Sequence, residues 1–168
     1  MTMKLTVGVL TLSDKGSRGE REDISGKIIH EMVEKINGEV KYYDIIPDER
    51  ELIEEYLIRY VDDYKLDLIL TTGGTGLAKR DVTPEATLAV IDKEIPGLAE
   101  EMRRVSREKT PFALLSRAIA GSRKDSIIIN LPGSPKGVRE NLAAVIDILP
   151  HALEILQGKM GEHPKSFK

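Results

Sequence analysis

The sequence predicts a three-layer α/β/α sandwich, Rossmann-like, around a mostly parallel sheet. Three observations carry that expectation. Short Val-, Ile- and Leu-rich runs alternate with stretches of helical periodicity, the order that gives crossovers and a sheet covered on both faces. The apolar runs are continuous rather than alternating, as buried parallel strands are. Finally, 168 residues suit one domain with a sizeable core.

The first strand is expected over Lys4–Leu12 and ends in a polar, charged loop, 13–23. Ile24, Ile28, Ile29, Met32, Val33 and Ile36 then recur at helical spacing, and Asn37-Gly38 stops that helix. A second strand covers Val40–Ile46. Asp48 opens a helical pattern in which Leu52, Ile53, Tyr56, Leu57, Tyr60 and Val61 share a face; Asp48-x-x-Glu51 reads as an acidic capping box. Leu66–Thr71 is a third buried strand that runs into Thr72-Gly73-Gly74-Thr75-Gly76. Thr83-Pro84 reads as the N-cap and first residue of the next helix, and Pro96-Gly97 separates it from another over Leu98–Arg107. Ile127-Ile128-Ile129 is a central strand, with Leu115–Gly121 expected beside it. The last helix follows Pro132-Gly133-Ser134-Pro135, kinks near Pro150 and ends around Gly158. One domain is expected over residues 1–157, with a polar tail over 158–168.

Composition narrows the function. Charged residues make up 32% and the net charge is −3, so nucleic acid and anionic membranes are not expected partners. No apolar run is long enough to span a bilayer and the N-terminus lacks a signal-peptide layout, so a cytoplasmic protein is expected. There is no cysteine, which excludes disulfides, thiolate metal sites and cysteine nucleophiles. His30, His151 and His163 are too scattered for a metal cluster.

In a doubly wound sheet, ligands bind beyond the carboxyl ends of the strands. The polar segments expected there are Ser13-Asp14-Lys15-Gly16, Pro47-Asp48-Glu49, Thr72–Asp81 and Asn130–Lys136. Gly73, Gly74 and Gly76 can take positive φ and turn backbone N–H groups toward an anion, with Thr72 and Thr75 adding hydroxyls; an ordinary strand-to-helix turn is the alternative. The loop matches neither a Walker motif nor G-x-G-x-x-G, which weighs against a dinucleotide-binding oxidoreductase. Asp48 has a capping role open to it. Asp81 lies outside the expected cap, and a carboxylate beside an anion cradle suits a magnesium ligand. Lys15, Lys79, Arg80, Arg117 and Lys136 are basic groups near the same edge. Tyr56, Tyr60 and Tyr64 form a stripe suited to a core or a subunit face.

Together these motifs resemble the molybdopterin adenylyltransferase family of the MogA/MoaB type, related to the G domain of gephyrin. The resemblance rests on Thr71–Gly76, the following Arg80-Asp81-Val82-Thr83-Pro84-Glu85-Ala86-Thr87, and Asn130-Leu131-Pro132-Gly133-Ser134-Pro135, with Thr11–Asp14 and Pro47–Glu49 in matching places. It implies adenylylation of molybdopterin by ATP with magnesium, releasing pyrophosphate, in a protein that is typically a trimer and hands its product toward the molybdenum-insertion protein. By motif position it implies that Asp48 and Asp81 serve activity and the metal. It further implies that Ser116 and Asn130 belong to the pterin-phosphate pocket. Ser13, Asp14, Thr72, Gly73, Gly74, Thr75, Gly76, Pro132 and Gly133 form the substrate-binding edge. A non-catalytic molybdopterin-binding protein of the same fold is the competing expectation.

Overall fold

The structure is a computed structural model that describes residues 4–159. Its centre is a six-stranded sheet in the order β2-β1-β3-β6-β5-β4, formed by β1 (Leu5–Leu12), β2 (Gly38–Ile46), β3 (Leu68–Thr72), β4 (Lys93–Glu94), β5 (Ala120–Arg123) and β6 (Ser126–Leu131). The pairs β1–β2, β1–β3 and β3–β6 are parallel, whereas β5 forms an antiparallel hairpin with β6 and β4 pairs antiparallel with β5 at the edge. The three-layer, mostly parallel expectation holds.

Successive residues of the central strands serve opposite layers, as the two-residue period of a strand requires. Leu68, Leu70, Ile127 and Ile129 pack under α2 (Ile24–Val33), α5 (Pro96–Arg107), α6 (Pro135–Val145) and α7 (Leu149–Leu156). Ile69 and Ile128 pack on the other face, under α3 (Arg50–Ile58) and α4 (Thr83–Val90). A short α1 (Asp14–Ser17) follows β1. The long last helix divides at a 3-10 turn, Ile146–Ile148, just before Pro150.

Among the described residues, Tyr60 is the one large aromatic wholly inside. Its ring lies against Gly8 in mid-strand, where an added Cβ would come within 2.7 Å of the ring carbons. Its hydroxyl donates to Asp44 Oδ2 at 2.5 Å, so an apolar ring is buried without an unsatisfied polar tip. Tyr64 stacks on Tyr42 of β2 with ring centroids 3.8 Å apart. Within the tyrosine stripe, then, Tyr60 belongs to the core and Tyr56 packs partly buried against it, whereas Tyr64 stays exposed beside Tyr42.

Several boundaries move. The helix expected from Asp48 begins at Arg50 and closes in a π-helical turn, Arg59–Asp63. Pro96 opens α5 rather than breaking the chain before it. Strand β4 has no counterpart in the sequence reading, because its two exposed residues carry no hydrophobic pattern. The expected tail falls almost wholly outside the described residues.

Candidate active site

The carboxyl ends of β1, β3 and β6 lie side by side, with β2 and β3 on opposite sides of β1. This is the switch point at which such sheets bind ligands. All four expected loops meet there around a cavity of about 680 Å³, lined by Ser13 and Asp14, by Asp48, by Thr72, Gly73, Gly74 and Asp81, and by Gly133. A second cavity of about 440 Å³ is lined by Thr75, Gly76, Ser116 and Pro132, and Ser134 borders both. The candidate residues thus divide between two adjoining compartments along one glycine-rich loop.

That loop is held from both sides. Gly73 and Gly74 have φ of +100° and +68°, so the left-handed expectation holds for these two, whereas Gly76 is not in that region. Gly73 N–H donates to Leu131 O at 3.1 Å, and Thr72 Oγ1 donates to Pro132 O at 2.7 Å, which seals β3 to β6. The carbonyls of Gly73 and Gly74 accept from Thr83, through its hydroxyl at 3.0 Å and its N–H at 3.2 Å. Thr83 is therefore the first residue of α4, not its N-cap, and its side chain serves the loop. Gly73 N–H, expected in the anion cradle, is committed. The N–H groups of Gly74, Thr75 and Gly76 take no protein acceptor among the described residues, and they run along the seam between the cavities. A side chain at Gly74 would collide with Thr83 Oγ1, so alanine there would disturb the turn as well as any ligand.

Asp48 is not a cap. Glu49 occupies the N-cap position of α3, with no side-chain cap bond, while Asp48 Oδ2 accepts from Asp14 N at 3.2 Å. Asp48 N donates in return to Asp14 Oδ1 at 3.0 Å, joining the loops after β1 and β2. Burial, and secondly the Asp14 charge, hold the Asp48 carboxyl above the ordinary carboxylate range; Asp81 adds to the repulsion. Asp14 is shifted the other way, below its ordinary value, chiefly by a hydrogen-bonded Arg80 and then by the Asp48 N–H. Asp81 does have a structural duty: its Oδ2 accepts from Ala78 N at 3.0 Å and closes the turn before α4.

Two further expectations change. Arg117 does not face a ligand but braces the loop, donating to Gly76 O and Asp81 O at 2.8 Å each and pairing with Glu85. Asn130 is fully buried and lines neither cavity. Its amide nitrogen donates to Thr71 Oγ1 and Thr87 Oγ1 at 3.1 and 2.9 Å, and its oxygen accepts from Ile119 N at 3.1 Å. Its role is to lock β3, β6 and α4 in register beneath the site.

The sequence reading leaves out Asp23. It caps α2 through Gly26 N at 3.0 Å, accepts from Thr11 Oγ1 at 2.6 Å and from Tyr43 Oη, and lines the first cavity. Burial, then the Asp23 bond, raises the Tyr43 hydroxyl well above its ordinary pKa, so Tyr43 stays a donor. A signal for it exists, since Asp23 directly precedes a helical pattern. Ser25 Oγ donates to Gly133 O at 2.8 Å, which fastens the start of α2 to the loop after β6.

The compartments differ in charge. Asp14, Glu22, Asp23, Asp48 and Asp81 line the first against Lys15 and Arg21, whereas Arg103, Lys109 and Lys136 line the second against Glu140. Among the described residues no group of three or more ligating side chains could hold a metal unaided. Asp48 and Asp81 both line the first cavity, and one or two carboxylates together with substrate phosphates are the donor set a hard cation takes.

A family model described as "probable molybdopterin binding domain" matches residues 8–151. The molybdopterin adenylyltransferase of Helicobacter pylori (strain 26695) is 49% identical over 154 residues, covering 90% of this chain and 88% of the relative. That of Escherichia coli K12 is 39% identical over 171 residues, covering 92% and 86%. The crystal structure of the molybdopterin biosynthesis enzyme MoaB from Thermus thermophilus superposes with a TM-score of 0.87 at 53% identity, covering 94% of this chain and 99% of that one. With the family model matched over residues 8–151 and curated relatives 39–49% identical over most of its length, the chain belongs to the molybdopterin-binding family of molybdenum cofactor biosynthesis.

Proposed function

We propose that this protein is a molybdopterin adenylyltransferase that joins the terminal phosphate of molybdopterin to the adenylyl group of ATP. The observation that carries the reading is the pair of adjoining compartments sharing the Gly74–Gly76 seam, one acidic and one basic. Two anionic substrates can approach one another there from opposite sides.

A phosphate oxygen of molybdopterin attacks the α-phosphorus of ATP, the bond from that phosphorus to the bridging oxygen breaks, and pyrophosphate leaves. No protein nucleophile is required, so the chemistry rests on alignment and charge. Unpaired N–H groups of the glycine loop stabilise oxygens that gain charge. Ser13, Thr72 and Gly133 shape the nucleotide side; Ser116, Thr75 and Pro132 shape the pterin side, with the second cavity's basic residues opposite the phosphate.

Asp48 and Asp81 would hold magnesium, which when bound supplies positive charge to the phosphates. The raised pKa of Asp48 supports this. A carboxylate crowded by burial and by Asp14 gains from a nearby cation. ATP use assigns the reaction to the cytoplasm. The described residues contain no helix long and apolar enough to cross a membrane.

The working assembly is a homotrimer that passes its product to the molybdenum-insertion protein. Exposed apolar side chains at Leu77, Phe112, Leu114 and Leu115 support a subunit contact beside the second cavity.

Pyrophosphate release tests the function. Release that requires ATP, molybdopterin and magnesium together is expected. Molybdopterin binding with no pyrophosphate release would instead indicate a binding protein of the same fold.

A further inference from the structure

The first cavity poses an electrostatic problem. Five of its lining residues are acidic and two are basic, so a nucleotide polyphosphate enters against a net negative charge. A divalent cation offsets part of that. Lys15, on α1, and Arg21, in the loop after it, are exposed single side chains. Beyond Arg21, two guanidiniums border the glycine loop, Arg80 and Arg117, and they are not equivalent.

Arg117 is committed to two carbonyls and Glu85. Arg80 is tied to one partner only. Its Nε and Nη2 donate to Asp14 Oδ2 and Oδ1 at 3.0 and 2.7 Å, and the side chain is 58% exposed. The backbone that carries it is fixed, since Arg117 grips the carbonyls of Gly76 and Asp81 and the Asp81 carboxylate closes the turn. Asp14 is fixed as well, through the reciprocal bonds with Asp48. An exposed guanidinium, itself outside the cavity lining, is thus held against Asp14 and next in sequence to Asp81, both of which line the cavity.

We propose that Arg80 is a nucleotide-positioning residue with two stations: Asp14, which holds it beside the cavity lining, and the phosphates of the bound nucleotide. The inference rests on the nucleotide reading given above. Asp14 then has a defined task, to hold Arg80 beside the cavity while competing with the ligand for it. An exposed ion pair contributes little to stability, so exchanging Asp14 for a phosphate forfeits little. Bidentate guanidinium–phosphate bonds are among the stronger charge-assisted ones.

The test is equilibrium binding of α,β-methylene-ATP with magnesium to the intact protein, by calorimetry, for wild type, Arg80→Gln, Arg80→Lys, Asp14→Asn and the double variant. Arg80→Gln should weaken binding by about tenfold, and Arg80→Lys by less, because lysine restores charge but not the bidentate fork. Asp14→Asn should tighten binding by several-fold. In the Arg80→Gln background, however, Asp14→Asn should tighten binding clearly less than it does with Arg80 present, since only the loss of a negative charge remains and no competing arginine is released.

Equal tightening by Asp14→Asn with and without Arg80 would reduce the effect to removal of a negative charge and overturn the proposal. Weakening by both single variants would make the pair a structural link and overturn it too. Absence of binding by the wild type would instead defeat the nucleotide reading itself.

Discussion

Asp48 shows how one side chain can be costly to the fold and useful to the site. Its carboxyl is raised in the folded protein, first by burial and then by Asp14, so between its unfolded and folded pKa the folded state holds the extra proton. Stability therefore falls as pH rises through that window, and at neutral pH the ionised group opposes folding. Asp48→Asn keeps an oxygen to accept the Asp14 N–H and removes the charge. The expected outcome is a higher melting temperature at pH 7 than wild type, with the gain shrinking as the pH is lowered into the acid range. Adenylation should fall on the order of 100-fold, the scale seen when one electrostatic contact to a transition state is removed. Thermal melts at several pH values beside a turnover assay check both parts. A lower melting temperature at pH 7 would contradict the account.

At the scale of elements, the sheet and its helices are largely legible in the sequence, because burial on both faces writes continuous apolar runs into β3 and β6. What is not legible depends on residues far apart in the chain. Asp48 looks like a cap locally, and only its bond to Asp14, thirty-four positions away, reveals otherwise. Motif position puts Asn130 in the pocket, yet it takes the register of β3 on β6 and the position of α4 to show that its amide is committed to Thr71 and Thr87. Asp81 and Arg117 are similar, since a turn and its brace join segments with no shared pattern. The convergence of the four loops, by contrast, follows from parallel strands alone, and it is what the structure has. Elsewhere, Asp62 pairs with Arg123 and Lys124, tying the π-helical turn to the β5 hairpin. Arg123 is the chief cause of an Asp62 pKa lowered to about 2. A depressed carboxyl stabilises above its unfolded pKa, and that contribution is lost as pH falls through about 2. Allowing for solvent screening of a partly exposed pair, Asp62→Asn should cost roughly 1–2 kcal/mol at pH 7 and progressively less toward pH 2. Denaturant titrations at the two extremes would show it, and an equal cost at both would refute the linkage.

For the whole molecule, only Tyr60 of the tyrosine stripe is fully inside, and more exposed apolar side chains lie elsewhere. Leu77, Phe112 and Leu115 border the second cavity, with Phe112 76% exposed. A trimer built on that face would set each pterin compartment against a neighbouring subunit. Light scattering at micromolar concentration should give three times the chain mass of 18.7 kDa, and Phe112→Glu should lower it. A wild-type mass of one chain would remove the trimer from the account.

The central claim is that the seam between the acidic and basic compartments transfers an adenylyl group. ATP labelled at the α-phosphorus, incubated with the protein, magnesium and molybdopterin, follows that group directly. The account predicts that the label moves onto molybdopterin in step with pyrophosphate release, and that the transfer stops with a chelator. Label that stays in ATP, or appears in ADP instead, would contradict it.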